Sequence, residues 1–372
     1  MTSTELHATT QVRVPDPAAA MDLLCDFYRE HDCDVQQNGE ITVIAAGPGT
    51  FRLGTGDQKL GITVAAPTDT GVSQLQTNII TLIDRMVPGA DVNCRWQGAG
   101  RGRAANGKLP NFRELTVGNV TDLGPDMRRL RLHGDDLSPY RAGSGIHVRL
   151  LVPPQGETMP QWPGLGENGM LVWPTGENRV EQRTYTIRRI NVDEGWMDID
   201  FVLHGDNGPA SRFAGHAAPG QLVGVTGPIG NDLPDADWYL FAADETGIPA
   251  VCHYLEALPT DKTGQVIFEV SGPGAKIDIP AHPGFETVWV FRDGTSAGGS
   301  AGHGQSGRAN RADFATAVCD VALPDDGRRI FCWTASEQAV HRQLQQHFRK
   351  ECGLGRDQCL VMTFWRAEGQ DG

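Results

Sequence analysis

The run Arg183-Thr184-Tyr185-Thr186-Ile187-Arg188-Arg189 is β-branched and aromatic, which reads as a strand with successive side chains on opposite faces. One face then carries Arg183, Tyr185 and Ile187, and the other carries Thr184, Thr186 and Arg188. Comparable strand-like alternation recurs at Leu115 to Val120, Met127 to Leu132, Ile146 to Val152, Met170 to Trp173, Met197 to His204 and Leu222 to Thr226. Six or seven short strands with one helix predict a closed antiparallel β-barrel over about 113–230. From Asp237 the pattern changes to strand, helix, strand, which predicts an α/β doubly wound parallel sheet over 231–372.

The first 98 residues read as a separate small α+β domain. Helices are expected from about Ala18 to His31 and Thr70 to Met86, with strands near Ile41 to Ala45, Thr50 to Leu53 and Leu60 to Val64. Residues 99–112, rich in glycine with three basic side chains, read as a flexible linker.

A formal charge of -14 argues against nucleic acid or an anionic membrane surface as the main partner. No apolar run is long enough to span a membrane, and Met1-Thr-Ser-Thr-Glu-Leu-His lacks the regions of a secretory signal, so a cytoplasmic protein is expected. The eight cysteines contain no C-x-x-C pair, so reduced thiols are expected and no metal site. Gly164-Leu-Gly166-Glu-Asn-Gly169 fits a dinucleotide fingerprint but precedes a strand. Gly298-Gly-Ser300-Ala-Gly302 fits a nucleophile elbow but lies in a Gly/Ser-rich stretch, and context rejects both.

The strand at Arg183 also carries a definite chemistry. A phenol such as Tyr185 can lie against an isoalloxazine, a hydroxyl such as Thr186 can bond the flavin N5 edge, and the guanidinium of Arg183 can grip a diphosphate. A barrel strand with exposed arginines is the plain alternative. Downstream, His204-Gly205 leads through Gly208-Pro209-Ala210-Ser211 into a short helix, whose free N–H groups suit a phosphate.

These residues occur in the same order as in a known family. Arg183-Thr-Tyr-Thr-Ile-Arg188, His204-Gly with Gly208-Pro-Ala-Ser211, Gly227-Pro228, Asp244-Glu-Thr246, Trp333-Thr-Ala335 with Glu337, and Phe364-Trp365-Arg366 resemble the siderophore-interacting proteins of the ferredoxin-reductase superfamily. The resemblance covers roughly 113–372. It implies a barrel that binds FAD and a sheet that binds NAD(P)H, with a ferric siderophore as substrate. Residues 1–98 resemble a domain of unknown function and inherit no chemistry.

The resemblance extends the cofactor-binding set from Arg183, Tyr185, Thr186, Ile187 and Arg188 to His204, Gly208, Pro209, Ala210 and Ser211. Asp244, Glu245 and Thr246 stand where related reductases have a nucleotide loop, joined by Ala335, Glu337 and Trp365. Thr246 also suits a helix cap. Arg292 stands where a cation would read a 2′-phosphate, favouring NADPH with NADH possible, and an arginine without a ligand is the alternative. Arg149 and Arg366 match the family's substrate-facing cations, whereas Ile229 replaces a common basic residue, Ser336 a glycine and Phe364 a tyrosine.

Electron counting fits this scheme. A nicotinamide gives two electrons as hydride and Fe(III) takes one, so a flavin must stand between them, with hydride reaching N5 near Tyr185 and Thr186. Fe(II) then leaves the hard oxygen ligands. A general flavin or quinone reductase, and a flavin-bearing siderophore binder or redox sensor without turnover, remain open at this level. The siderophore is unread, and so is the oligomeric state, with a monomer favoured.

Overall fold

The computed structural model describes residues 5–31, 33–38, 41–99, 109, 111–141, 145–165, 171–203, 208–230, 232–293 and 311–366. The chain divides into two compact units, Met1–Phe112 with Met159–Val180, and Arg113–Thr158 with Glu181–Gly372.

In the first unit β1 (Leu6–Arg13) precedes α1 (Pro17–Glu30), followed by β2 (Asp34–Asn38), β3 (Ile41–Ala46), β4 (Gly49–Gly56), β5 (Lys59–Ala66), α2 (Asp69–Met86) and β6 (Gln97–Gly98). The sheet order is β2-β3-β4-β5-β1-β6. Leu24 of α1, Leu75, Ile79 and Ile83 of α2 and Val12, Phe51, Leu53 and Ile62 of the strands share one core, so both helices cover the same face. Asp16 starts α1 by accepting from the N–H groups of Ala18 and Ala19 at 3.0 Å, with Pro17 at the first helical position. Strands β1 and β2 were not expected. Thr10 turns inward in β1, where an apolar side chain would have marked the alternation, and β2 is a polar edge strand, Asp-Val-Gln-Gln-Asn.

The second unit, from Arg113, opens within β7 (Phe112–Asp122) and continues with β8 (Met127–His133) and β9 (His147–Val152). The chain next forms a two-strand ribbon, β10 (Gly164–Leu165) with β11 (Leu171–Val172), which belongs to the first unit. Met170 to Trp173 was expected as a barrel strand; Leu171 and Val172 instead pair with β10 outside the barrel, and Met170 lies outside the described residues. The chain returns as β12 (Glu181–Asn191), β13 (Trp196–Val202), α3 (Pro209–Gly215) and β14 (Leu222–Ile229). Six strands close in the order β12-β13-β8-β7-β14-β9 around Leu115, Leu130, Val148, Ile187, Phe201 and Val225. On the outer face, Arg129 and Arg131 of β8 pair directly with their register partners Asp200 and Asp198 of β13, at 2.6 and 2.8 Å.

The α/β part comprises β15 (Trp238–Ala243), α4 (Ile248–Ala257), β16 (Thr263–Val270), β17 (Phe285–Phe291), α5 (Arg311–Cys319), β18 (Ile330–Glu337), α6 (Gln338–Gln346) and β19 (Cys359–Trp365). Its five strands are parallel in the order β17-β16-β15-β18-β19, with a separate apolar core on each face. The helix expected from Glu337 to Lys350 is α6 followed by a π-helical turn, His347–Glu351. The Gly/Ser-rich stretch 294–308 lies outside the described residues, as does the elbow-like sequence within it.

Candidate active site

Antiparallel pairing of β12 with β9 sets Thr186 opposite His147, Tyr185 opposite Val148, Thr184 opposite Arg149 and Arg183 opposite Leu150. Thr186 is buried, and its Oγ1 lies 3.2 Å from Nδ1 of His147. The imidazole meets the ring of Phe364 edge-on at 5.8 Å. Burial, with His253 adding to it, pushes His147 down to about 4, so the Thr186–His147 pair is neutral at neutral pH. His147 is a residue the sequence did not reveal. It begins an ordinary apolar strand, and only the register of two strands 39 residues apart sets it against Thr186.

Pleating separates the two residues proposed for chemistry. Tyr185 points to the side of Ile187 and packs on Phe201 of β13 with ring centres 4.4 Å apart, while Thr186 faces His147. Ile187 is fully buried in the barrel core. The pairing of β12 with β13 then slips between Ile187 and Arg189. Arg188, expected to hold the cofactor, is instead committed to Glu256 of α4, with its two terminal nitrogens 2.6 and 3.0 Å from the carboxylate oxygens. Arg189 donates to the same carboxylate. Burial works to raise Glu256, but hydrogen bonds from both arginines outweigh it and hold it at about 2.

Arg183 is exposed, and donates to the Gln182 carbonyl at 2.8 Å and to Glu181 at 3.3 Å. The phosphate-side helix α3 starts at Pro209, after Gly208 with φ +99°, a conformation that favours glycine, and with open space where a Cβ would stand. Ala210 and Ser211 are buried in its first turn. His204 lies outside the described residues.

The carboxyl ends of the parallel strands form the second half of the site. Asp244 follows β15 and is buried; its Oδ1 accepts from the N–H of Thr246 at 3.0 Å and from the Thr246 hydroxyl, and its Oδ2 accepts from Trp365 Nε1 at 2.8 Å. Burial raises the Asp244 carboxyl, with these hydrogen bonds opposing. Gly247 ends the turn, where an added Cβ would stand 2.7 Å from the Ala243 Cβ and 3.1 Å from that of Ala335, so the start of α4 can approach the end of β18 only with glycine there. Glu337 caps α6, accepting from the Ala339 N–H at 2.7 Å. Ser336 is buried, its hydroxyl 3.5 Å from the Glu337 carbonyl.

Arg292, expected to read a 2′-phosphate, is bound by two carboxylates. It forms a two-pronged pair with Glu245 and lies 3.0 Å from Glu269 Oε2. Burial pushes Glu269 up to about 7 against the pull of Arg292, and its other oxygen is buried with no hydrogen-bond partner. Lys276 sits over the rings of Trp289 and Phe291, at 5.7 and 5.2 Å. Arg149 and Arg366 are exposed.

The donor set fits FAD. A neutral hydroxyl–imidazole pair beside an aromatic ring suits an isoalloxazine edge, while an exposed guanidinium and a glycine-led helix start suit a diphosphate. The fold is a six-stranded antiparallel barrel followed by a five-stranded parallel sheet of nucleotide-binding type, with polar groups gathered at the strand ends. Residues 116–232 match the siderophore-interacting FAD-binding domain, and residues 236–368 match the siderophore-interacting protein domain. The chain is 36% identical over 264 residues to an NADPH-dependent ferric-chelate reductase of Escherichia coli, covering 69% of this chain and 94% of that one. It is 28% identical over 245 residues to the ferric vibriobactin reductase ViuB of Vibrio cholerae, covering 65% and 84%. The crystal structure of the siderophore-interacting protein SipS from Aeromonas hydrophila superposes with a TM-score of 0.56 at 28% identity, covering 70% of this chain and 93% of that one. The chain belongs to the siderophore-interacting protein family.

Proposed function

We propose that the chain is an FAD-dependent ferric-siderophore reductase that draws its electrons from NAD(P)H and works in the cytoplasm. The observation that carries this is the part-buried Thr186–His147 pair set against Phe364, next in the chain to the Trp365 that binds Asp244 at the carboxyl end of the sheet. FAD, when bound, accepts a hydride and gives up its electrons singly, which a nicotinamide and ferric iron together require.

The chain's own groups bind, orient and exclude water. Thr186 offers its hydroxyl to the flavin edge, and His147, held neutral by burial, fixes that hydroxyl without exchanging a proton near neutral pH. Arg183 and the first turn of α3 hold the diphosphate. Phe364 covers the imidazole, and the Asp244–Trp365 bond ties the nucleotide turn to the last strand. Glu245, Thr246, Ala335 and Glu337 shape the nicotinamide side. Arg149 and Arg366 supply positive charge for an anionic chelate in a chain of net charge -14. No helix among the described residues is long and apolar enough to cross a membrane.

Anaerobic mixing of the purified flavoprotein with NADPH should bleach the flavin. Adding a ferric siderophore and an Fe(II) trap should restore its absorbance and yield trapped Fe(II). Protein that retains no flavin, or a reduced flavin that passes electrons to quinones but not to ferric chelates, would overturn the assignment.

A further inference from the structure

The π-helical turn after α6 gathers a second set of reactive side chains, on the face of the sheet that α5 and α6 cover. A π turn bonds residue i+5 back to residue i, and here the Cys352 N–H donates to the His347 carbonyl at 2.9 Å. That geometry brings the Cys352 thiol to Nε2 of the His347 ring. The thiol sulfur lies 3.3 Å from His347 Nε2, and Nδ1 of the same ring lies 2.8 Å from Glu351 Oε2. Thiol, imidazole and carboxylate thus stand in line as nucleophile, base and orienting group, the arrangement that activates a nucleophile in unrelated enzymes. The cysteine is exposed, whereas Cys25, Cys252, Cys332 and Cys359 are buried. The three side chains are not placed to hold a metal ion.

We propose that Cys352 is an oxidative modification site whose substrate is a hydroperoxide, with His347 as the base that activates the thiol and Glu351 as the residue that positions His347. In the reaction the sulfur attacks one peroxide oxygen, so that an S–O bond forms as the O–O bond breaks. The imidazole takes the thiol proton and passes it to the departing oxygen, which leaves as water from hydrogen peroxide or as an alcohol from an organic hydroperoxide. Sulfur is oxidised to the sulfenic acid and the hydroperoxide, the oxidant, is reduced.

The electrostatics decide how the thiol must be activated. Burial and the negative charge of Glu351 raise the Cys352 thiol, so a standing thiolate does not account for reactivity, and proton transfer to His347 must accompany attack. Arg349 donates to the Leu354 carbonyl at 3.2 Å and to the Cys359 carbonyl at 3.1 Å. No flavin or nicotinamide is needed for this chemistry, so it stands or falls apart from the reductase assignment.

The test exposes the full-length protein to hydrogen peroxide, traps sulfenic acid with dimedone and maps the adduct by peptide mass spectrometry. Cys352 should be labelled first, ahead of the partly exposed Cys33, Cys94 and Cys319. His347→Gln should slow labelling by roughly a hundredfold or more and Glu351→Gln by a smaller factor, in line with general-base contributions. The wild-type rate should rise only weakly between pH 7 and 9, whereas a bare thiol below its pKa reacts about tenfold faster per pH unit. Equal labelling of the four thiols, no adduct at all, a rate unchanged in His347→Gln, or a full tenfold rise per pH unit would each overturn the proposal.

Discussion

Two ion clusters in the reductase unit are built from the same residue types in opposite proportion. Where β12 meets α4, one carboxylate, Glu256, serves two arginines, Arg188 and Arg189. At the nucleotide end of the sheet, one arginine, Arg292, serves two carboxylates, Glu245 and Glu269. Glu256 is consequently held at about 2, while Glu269 is pushed up to about 7 and keeps an oxygen with no partner. The first cluster is a fixed fastening, fully charged across the physiological range. Its stabilisation is present above the ordinary glutamate value of 4.5 and is lost only as pH falls toward 2. The second is short of positive charge at the carboxyl ends of the parallel strands, so it responds to protons and to whatever charge arrives. An arginine is therefore not a ligand site merely because it ends a strand; the carboxylates around it decide.

The largest effect should come from breaking the fastening. Glu256→Ala strands Arg188, whose side chain is 4% exposed, without a counter-charge, and removal of one partner from such a pair costs about 3 kcal/mol or more. Urea denaturation should show that loss, and a shift under about 1 kcal/mol would mean the two clusters do not differ as described.

Glu269→Gln sharpens the contrast next. A carboxyl raised from 4.5 to about 7 contributes stability that is complete below pH 4.5 and lost as pH rises through 7, about 3 kcal/mol at about 1.4 kcal/mol per unit. His147, lowered from 6.5 to about 4, contributes in the opposite sense: its stabilisation is present above pH 6.5 and lost as pH falls through 4. The two slopes offset one another between about pH 4.5 and 6.5. The amide variant should therefore be the more stable protein at pH 8, gain nothing at pH 4.5, and reveal the rising limb that belongs to His147. Denaturation midpoints across that range check all three.

A third change compares committed with uncommitted arginines. Arg149→Glu together with Arg366→Glu should raise KM for an anionic ferric chelate by about tenfold with flavin content unchanged, since both side chains are exposed and charge sets the local concentration of an anion. Steady-state kinetics at low and moderate salt would separate this from a structural fault, because a charge effect shrinks as salt rises.

The barrel and the parallel sheet were legible because their signals are local. Alternation in β12 and β13, and apolar spacing along α4, survive in any fold that buries one face. The partnerships that decide function were not. Arg188 and Arg292 sit where the motif order expects cofactor cations, yet Glu256 lies 68 residues beyond the first, and Glu245 and Glu269 lie 47 and 23 residues before the second. No local pattern reports such pairings. The slip in β12 pairing between Ile187 and Arg189 is equally silent in sequence, and Arg188 within it faces α4. His147 was missed for the same reason, since its identity as a partner of Thr186 is a matter of register.

The smallest expected effect tests a polar pair at the site that belongs to neither cluster. Thr186→Val keeps the volume and the β-branched shape of a buried strand residue but removes the hydroxyl that meets His147 at 3.2 Å. A neutral hydrogen bond of this kind contributes about 1 kcal/mol, so flavin release measured by equilibrium dialysis should become about fivefold more favourable, with the fold unchanged by circular dichroism. Thr186→Ser retains the hydroxyl and should restore retention. Because His147 is neutral at working pH, the loss should be the same at pH 6.5 and pH 8. A loss that grew with falling pH would instead mean that the imidazole is charged when flavin binds, and that Thr186–His147 is a proton-sensitive pair like Glu269 at the other end of the unit.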